Sequence, residues 1–165
     1  MYTSFDNIDN ASRIWIYQAD RFLVNEEKII ISQRLETFCN TWLSHGIPVE
    51  ASFEIRHNAF VIFAANVTKT AVSGCSIDSS VSIIRELEKQ FDLSFFNRMR
   101  LVFEQEGEFL MADYQDVAAM ITKKELSLDS TSFNLLLNSK SQLETDWKVP
   151  ISKSWIAKRL ELNPA

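Results

Sequence analysis

Glycine is nearly missing from this chain: Gly46, Gly74 and Gly107 are the only three in 165 residues. A phosphate-wrapping loop of the Gly-x-x-x-x-Gly-Lys-Ser/Thr kind needs closely spaced glycines and a lysine beside them. These glycines are far apart and none precedes Lys-Ser or Lys-Thr, so the residues do not support P-loop ATP hydrolysis. Histidine and cysteine are equally scarce, with two of each. Without a Cys-x-x-Cys or His-x-x-x-His spacing there is no metal signature, and two cysteines do not make a disulfide framework. No cofactor is expected.

Cationic residues are also in deficit. Lys and Arg number 17 against 22 Asp and Glu, a formal net charge of −5. That balance argues against a nucleic-acid partner or an anionic membrane surface. No apolar run approaches the ~18 residues needed to cross a bilayer. The first ten residues carry two aspartates and no basic stretch leading into an apolar one, so no secretory signal is predicted. The expectation is a cytoplasmic protein with one domain over residues 1–165.

What the chain does have is apolar patterning, with twelve phenylalanines. Residues 13–18 are β-branched and aromatic, a strand. Ile31, Leu35, Phe38, Cys39 and Trp42 recur at helical spacing over residues 25–44, behind an expected Asn25 cap. Val49, Ala51, Phe53 and Ile55 alternate with polar residues, the mark of a half-buried strand. His57-Asn58 is the expected hairpin turn, because asparagine tolerates positive φ. Residues 59–65 are apolar on both faces and belong at the centre of a sheet. A second helix is expected to start at Ser76 and run to about Gln90, followed by a hairpin over residues 99–112. A third helix capped by Asp113 comes next. Beyond it the pattern predicts a strand over 131–137, a helical turn over 142–147 and a terminal helix carrying Trp155.

Strand, helix, strand, strand, helix, strand is the split βαβ order. The predicted fold is α+β: a ferredoxin-like βαββαβ core with helices on one sheet face, plus a C-terminal β/α extension. Right-handed crossovers set strand two parallel to strand one, with strand three antiparallel between them. The face away from the helices is expected to carry Trp15, Tyr17, Phe60 and Ile62. It needs a cover, either the last forty residues with Trp147 and Trp155, or a second subunit. The chain is therefore expected as a monomer or a homodimer.

Two places could hold chemistry. One is the strand-to-helix junction Ser73-Gly74-Cys75-Ser76-Ile77-Asp78-Ser79-Ser80. Backbone amides at a helix start, with the hydroxyls of Ser73, Ser76, Ser79 and Ser80 around Gly74, suit a small anionic ligand. Cys75, expected in the loop ahead of the helix, could act as a thiolate nucleophile, with His45 as base and Asp78 orienting it. The plainer reading is a small buried residue beneath a tight turn, chosen for its size. The topology makes a condition of this, since the first helix must return His45 to the same sheet end. The second place is the opposite end, where Gln18, Asp20, Arg21, Arg56, His57 and Arg98 should gather. A doubly wound parallel sheet would instead bring residues 18–21 beside Cys75.

The stretches Arg13-Ile-Trp-Ile-Tyr-Gln-Ala-Asp-Arg21, Ala51-Ser-Phe-Glu-Ile-Arg-His-Asn58, Ser73-Gly-Cys-Ser-Ile-Asp-Ser-Ser80 and Val149-Pro150 with Ser154-Trp155 span nearly the whole chain. On them it resembles a family of short uncharacterised bacterial proteins that often carry the label "ABC transporter ATPase". The resemblance implies a family, and the missing phosphate loop keeps that label from supplying a reaction. The function expected is a non-catalytic binding or interaction module with a small-anion site at residues 73–80. The alternatives are a thiol-dependent hydrolase or transferase using Cys75, and a structural subunit dimerising through the Trp15/Tyr17 sheet face.

Overall fold

A computed structural model describes residues 1–162 of the chain. β1 (Arg13–Gln18) leads to α1 (Asn25–Thr41) and a small hairpin of β2 (Leu43–Ser44) and β3 (Ile47–Pro48). There follow β4 (Ala51–Arg56), β5 (Phe60–Ala65), α2 (Gly74–Phe91), β6 (Arg100–Gln105) and β7 (Glu108–Asp113). The C-terminal part holds α3 (Val117–Thr122), β8 (Thr131–Phe133), α4 (Gln142–Thr145), β9 (Lys148–Pro150) and α5 (Trp155–Arg159). The fold is mixed α+β. No helix among the described residues is long and apolar enough to cross a membrane.

β1, β5 and β4 form a sheet in that order, with β5 antiparallel to both neighbours. This is the pairing expected of the first three strands. It places Gln18 opposite Phe60 and Arg13 opposite Ala65, so residues 18–21 and the start of α2 lie at opposite ends. The doubly wound alternative is thereby ruled out. The fourth strand departs from the expected closure. β6 does not pair with β1; it joins β7, β8 and β9 in a second sheet of order β7-β6-β8-β9.

The reason lies in side-chain alternation. One face of the first sheet, with Tyr17, Phe53, Val61 and Phe63, packs beneath α1 and α2 through Ile31, Leu35, Ile84 and Leu87. The other face, with Ile14, Phe60, Ile62 and Ala64, packs against Val102, Phe133, Leu143 and Trp147. β6 is apolar on both sides. Val102 faces the first sheet, while Leu101 and Phe103 face away into a third cluster closed by Val117, Leu126, Ile151 and Ile156. A strand at the edge of the first sheet could not serve both clusters, so β6 founds a second layer. The chain stacks as helices, sheet, sheet, helices.

The expected cover by the C-terminal part is therefore present, with two corrections. Trp15 and Tyr17 lie on the helix side, not beside Phe60 and Ile62: Trp15 meets Trp42 at 6.2 Å and Tyr17 meets Phe63 at 6.3 Å. The sheet face proposed for dimerisation is thus covered from within the chain. Trp155 does not join the cover; it stacks on Tyr114 with centroids 5.6 Å apart.

Helix boundaries shift for local reasons. Glu27 accepts from the Val24 amide at 3.0 Å, so Val24, not Asn25, holds the cap position of α1. α1 ends at Thr41, and His45 and Gly46, both at positive φ, turn the β2–β3 hairpin instead of ending a helix. α2 starts two residues before the expected cap, because Ser73 Oγ accepts from the Ser76 amide at 3.2 Å.

Trp147 is the keystone of the inter-sheet core, with Phe133 at 4.9 Å and Phe60 at 5.2 Å. Its Nε1 has no partner among the described residues. Trp147→Ala is expected to lower the unfolding free energy by about 3–5 kcal/mol in urea denaturation, and Trp147→Phe by clearly less, because no hydrogen bond is lost with the indole.

Candidate functional site

The junction before α2 is a network closed on itself. Ser44 Oγ donates to the Ala71 carbonyl at 2.7 Å and accepts from the Ser73 amide at 3.1 Å. Ser76 Oγ donates to the Leu43 carbonyl at 2.9 Å, and Trp42 Nε1 donates to the Ser76 carbonyl at 2.9 Å. The β2–β3 hairpin is thus locked against the start of α2, as the topology required of the segment carrying His45. Ser79 and Ser80 donate to the carbonyls of Cys75 and Ile77 at 3.1 and 2.6 Å. The hydroxyls expected to greet an anion are turned inward on the helix and its neighbours. Gly74 is exposed in the first turn with open space where a side chain would project.

Cys75 lies inside the first turn of α2, not in the preceding loop, and is exposed. His45 and Asp78 are exposed as well. No hydrogen bond joins Cys75, His45 and Asp78 among the described residues, so the three do not form a hydrogen-bonded triad. Cys39 is the chemical opposite: fully buried on α1, its thiol is pushed up to about 12 by burial.

The opposite end divides into three arrangements. Gln18 Nε2 donates to the Arg100 carbonyl at 2.5 Å, and Asp20 exchanges bonds of 2.9 and 3.0 Å with Ser94. Arg21 makes a forked pair with Glu27 at 2.7 and 2.9 Å and reaches the Phe91 carbonyl at 2.8 Å. The Glu27 carboxyl is accordingly held below its ordinary range, chiefly by the Arg21 hydrogen bonds. Arg56 pairs with Glu54 at 2.7 Å and lies over Trp147 at 5.3 Å. His57, at φ 52° in the β4–β5 turn, is stacked between Phe109 at 4.2 Å and Trp147 at 5.5 Å. An open hollow of about 470 Å³ lies over Glu54, Arg56, His57, Glu144, Trp147 and Lys148. Its cations are already engaged, since Lys148 holds Glu104 at 3.0 Å. Through these contacts Arg56 and His57 of the first sheet's hairpin are held against Phe109 and Trp147.

Arg98 belongs to none of these. It lines the larger concavity, a cleft of about 600 Å³ beside β1. Ile16, Gln18, Val102 and Phe133 are part of its lining. One wall is residues 95–99, where Asn97 Oδ1 accepts from the Met99 amide at 3.1 Å and Ser94 Oγ from the Phe96 amide at 3.2 Å. The facing wall is residues 132–136, where Asn134 donates to the Trp147 carbonyl at 2.8 Å and its side chain accepts from the Leu136 amide at 3.0 Å. Those turns push apolar side chains outward. Leu136 is 76% exposed, Trp155 45% and Met99 44%, and all three line the cleft. Its charged lining residues are Arg98, Lys153 and Arg159, with no carboxylate among them. None of the three forms an ion pair with another described residue.

Only Gln18 and Arg98 of this cleft were among the sequence candidates. Met99, Leu136, and the group Lys153, Trp155 and Arg159 come from three separate stretches. The one local clue was Leu135-Leu136-Leu137, a run in which a strand could not bury all three. Among the described residues no group of three or more His, Cys, Asp or Glu is placed to hold a metal ion. Compared with protein families, curated proteins and solved structures, the chain matches none of them significantly.

Two tests follow from the chemistry of this end and of the cysteines. Burial, then the nearby Lys148 charge, lowers the His57 pKa. The folded state therefore takes up its proton at lower pH than the unfolded chain does. The associated stability is present above about pH 6.5 and is lost as pH falls through the folded value. Urea midpoints between pH 7.5 and 5.5 should decline, and His57→Asn should flatten that decline. Loss through Glu27 belongs to a lower window, because its folded pKa lies below the ordinary carboxylate value. Second, iodoacetamide applied to the native protein at neutral pH should label Cys75 and leave Cys39 untouched until the chain is unfolded. Peptide mass mapping of the alkylated protein reads both sites.

Proposed function

We propose that the protein is a non-catalytic binding module whose receptor is the cleft beside β1, and that its ligand presents an apolar body and a negative charge. The observation that carries this reading is the charge segregation of the cleft. In a chain of net charge −5, the larger of the two concavities gathers three cations and no carboxylate around exposed apolar side chains. Apolar walls with a few convergent charged groups are the usual composition of a ligand site. Arg98, Lys153 and Arg159 are exposed and keep their donors open to an anion, whose charge-assisted hydrogen bonds are stronger than neutral ones. The expectation of an anionic ligand is kept, and its place moves from residues 73–80 to Arg98, Lys153 and Arg159.

The thiol-dependent reading remains the second one. It rests on the exposure of Cys75 in the first turn of α2, next to the hairpin that carries His45.

Anilinonaphthalene sulfonate, an aromatic body with one anionic group, is a suitable probe. It should bind the native protein saturably, with quenching of tryptophan fluorescence as Trp155 is approached. The double variant Arg98→Glu with Lys153→Glu should weaken binding about tenfold or more at an unchanged melting temperature. Absence of saturable binding, or equal affinity in wild type and the charge-reversed variant, would overturn the proposal.

A further inference from the structure

β1 is an edge strand, since the first sheet runs β1-β5-β4. Its backbone groups alternate between β5 and the outer side. The Ala19 amide donates inward to the Ala59 carbonyl, so the odd-numbered residues of the strand face β5. The even-numbered ones face out, as the Ile14 amide donating to the Asn138 carbonyl at 3.1 Å and the Asp20 amide donating to the Ser94 carbonyl at 2.9 Å both show. Residues 138–140 thus cover the beginning of the outer edge, with the Lys140 amide on the Ser12 carbonyl at 2.9 Å, and Ser94 covers its end.

Between these two covers lie the outward groups of Ile16 and the outward amide of Gln18. Neither amide donates to any other described backbone group on that side, and both residues line the cleft. The place is the one a ferredoxin-like fourth strand would occupy. Here β6 has turned off to the second sheet, and Arg100 links it back: its carbonyl accepts from the Gln18 side chain and its Nε donates to the Asp20 carbonyl at 3.2 Å. From Ile14 to Asp20 the edge measures roughly 20 Å at ~3.3 Å per residue, enough for about four added residues between the covers.

We infer that the cleft receives an extended acidic peptide from another protein, which adds as a strand to the outer edge of β1 between residues 94 and 138. This rests on the binding-module reading and names its partner. Unpaired strand amides are what an extended peptide satisfies, while side chains of alternating direction take up the apolar wall and the charged rim. Every second side chain of such a strand meets Ile16, Val102 and Phe133. Its carboxylates meet Arg98, Lys153 and Arg159. A small amphipathic anion fills the walls and leaves the Ile16 amide unbonded; a peptide bonds it. A second copy has β1 inside the cleft and offers instead the edge strand β7, which carries acid only at its ends, Glu108 and Asp113. Three cations along the cleft match a more acidic strand than that, so the occupant is a peptide of another protein and the second copy is an outcome of the test.

The probe is a synthetic capped tetrapeptide of alternating valine and aspartate, the length that fits between the covers, tested on the full chain. It should displace bound anilinonaphthalene sulfonate, and native-state hydrogen exchange should show the Ile16 amide slowed about tenfold or more on saturation. An analogue N-methylated at alternate residues, which removes the ladder donors and keeps the side chains, should bind about tenfold more weakly. Leu136→Asp should reduce peptide affinity while leaving the melting temperature unchanged, since Leu136 is already exposed. Displacement of the dye without slowing of Ile16, or equal affinity of the N-methylated analogue, would overturn strand addition and leave the cleft as a small-anion receptor. Failure of the dye itself to bind would remove the cleft reading altogether. Sedimentation of the unliganded protein as a dimer, abolished by Leu136→Asp, would overturn the peptide in favour of a second copy.

Discussion

The fold depends on one strand. All six residues of β5 are completely buried, so it needs a neighbour on each edge and a cover on each face. β1 and β4 supply the edges. α1 and α2 cover one face, and on the other the one-turn α4 contributes only Leu143. Burying Phe60 and Ile62 at about 25 cal/mol per Å² of apolar surface requires another apolar layer, and the second sheet provides it. The chain therefore resolves a sheet with two apolar faces by stacking a second sheet, where a ferredoxin-like chain leaves one face to solvent or a partner.

That solution has a cost at the edge of the first sheet. β6 carries Val102 to the inter-sheet core and Leu101 and Phe103 to the outer one. It can do so only as a strand of the second layer, and leaving β1 opens the backbone that it would have paired. Native sheets shorten, charge or cover such edges. Here residues 138–140 and Ser94 cover both ends and the middle faces a cleft. The cleft is a consequence of the topology, and its cations and exposed leucine are choices of sequence laid over it.

How much of this was legible in the chain depended on periodicity. The order of the longer elements through β7, the central place of β5 and its antiparallel pairing with β1 and β4 followed from alternation and from the two-sided apolarity of residues 59–65, while the short β2–β3 hairpin and β9 did not. The His57-Asn58 turn followed from residue type, and both positions do adopt positive φ. Three things were beyond it. A strand with apolar residues on both faces, such as 100–105, reads the same at the edge of one sheet as at the heart of another. The side on which Trp15 and Tyr17 lie is fixed by register with Phe63, a pairing that spans nearly fifty residues. Serine hydroxyls read as ligand donors are indistinguishable in sequence from hydroxyls donating to their own helix, as Ser79 and Ser80 do.

The two candidate sites differ in a way that sequence could not weigh. At the start of α2 the polar groups are numerous and satisfied: Ser44, Ser73 and Ser76 bond one another and the surrounding backbone, and a ligand would have to compete with those bonds. At the cleft the polar groups are few and open, with cations lacking ion-pair partners and strand amides lacking acceptors. A site is defined less by how many donors it holds than by how many the fold leaves unspent. By that measure residues 73–80 clamp the β2–β3 hairpin to α2 with bonds already made. The unspent groups lie beside β1, where β6 does not join the first sheet.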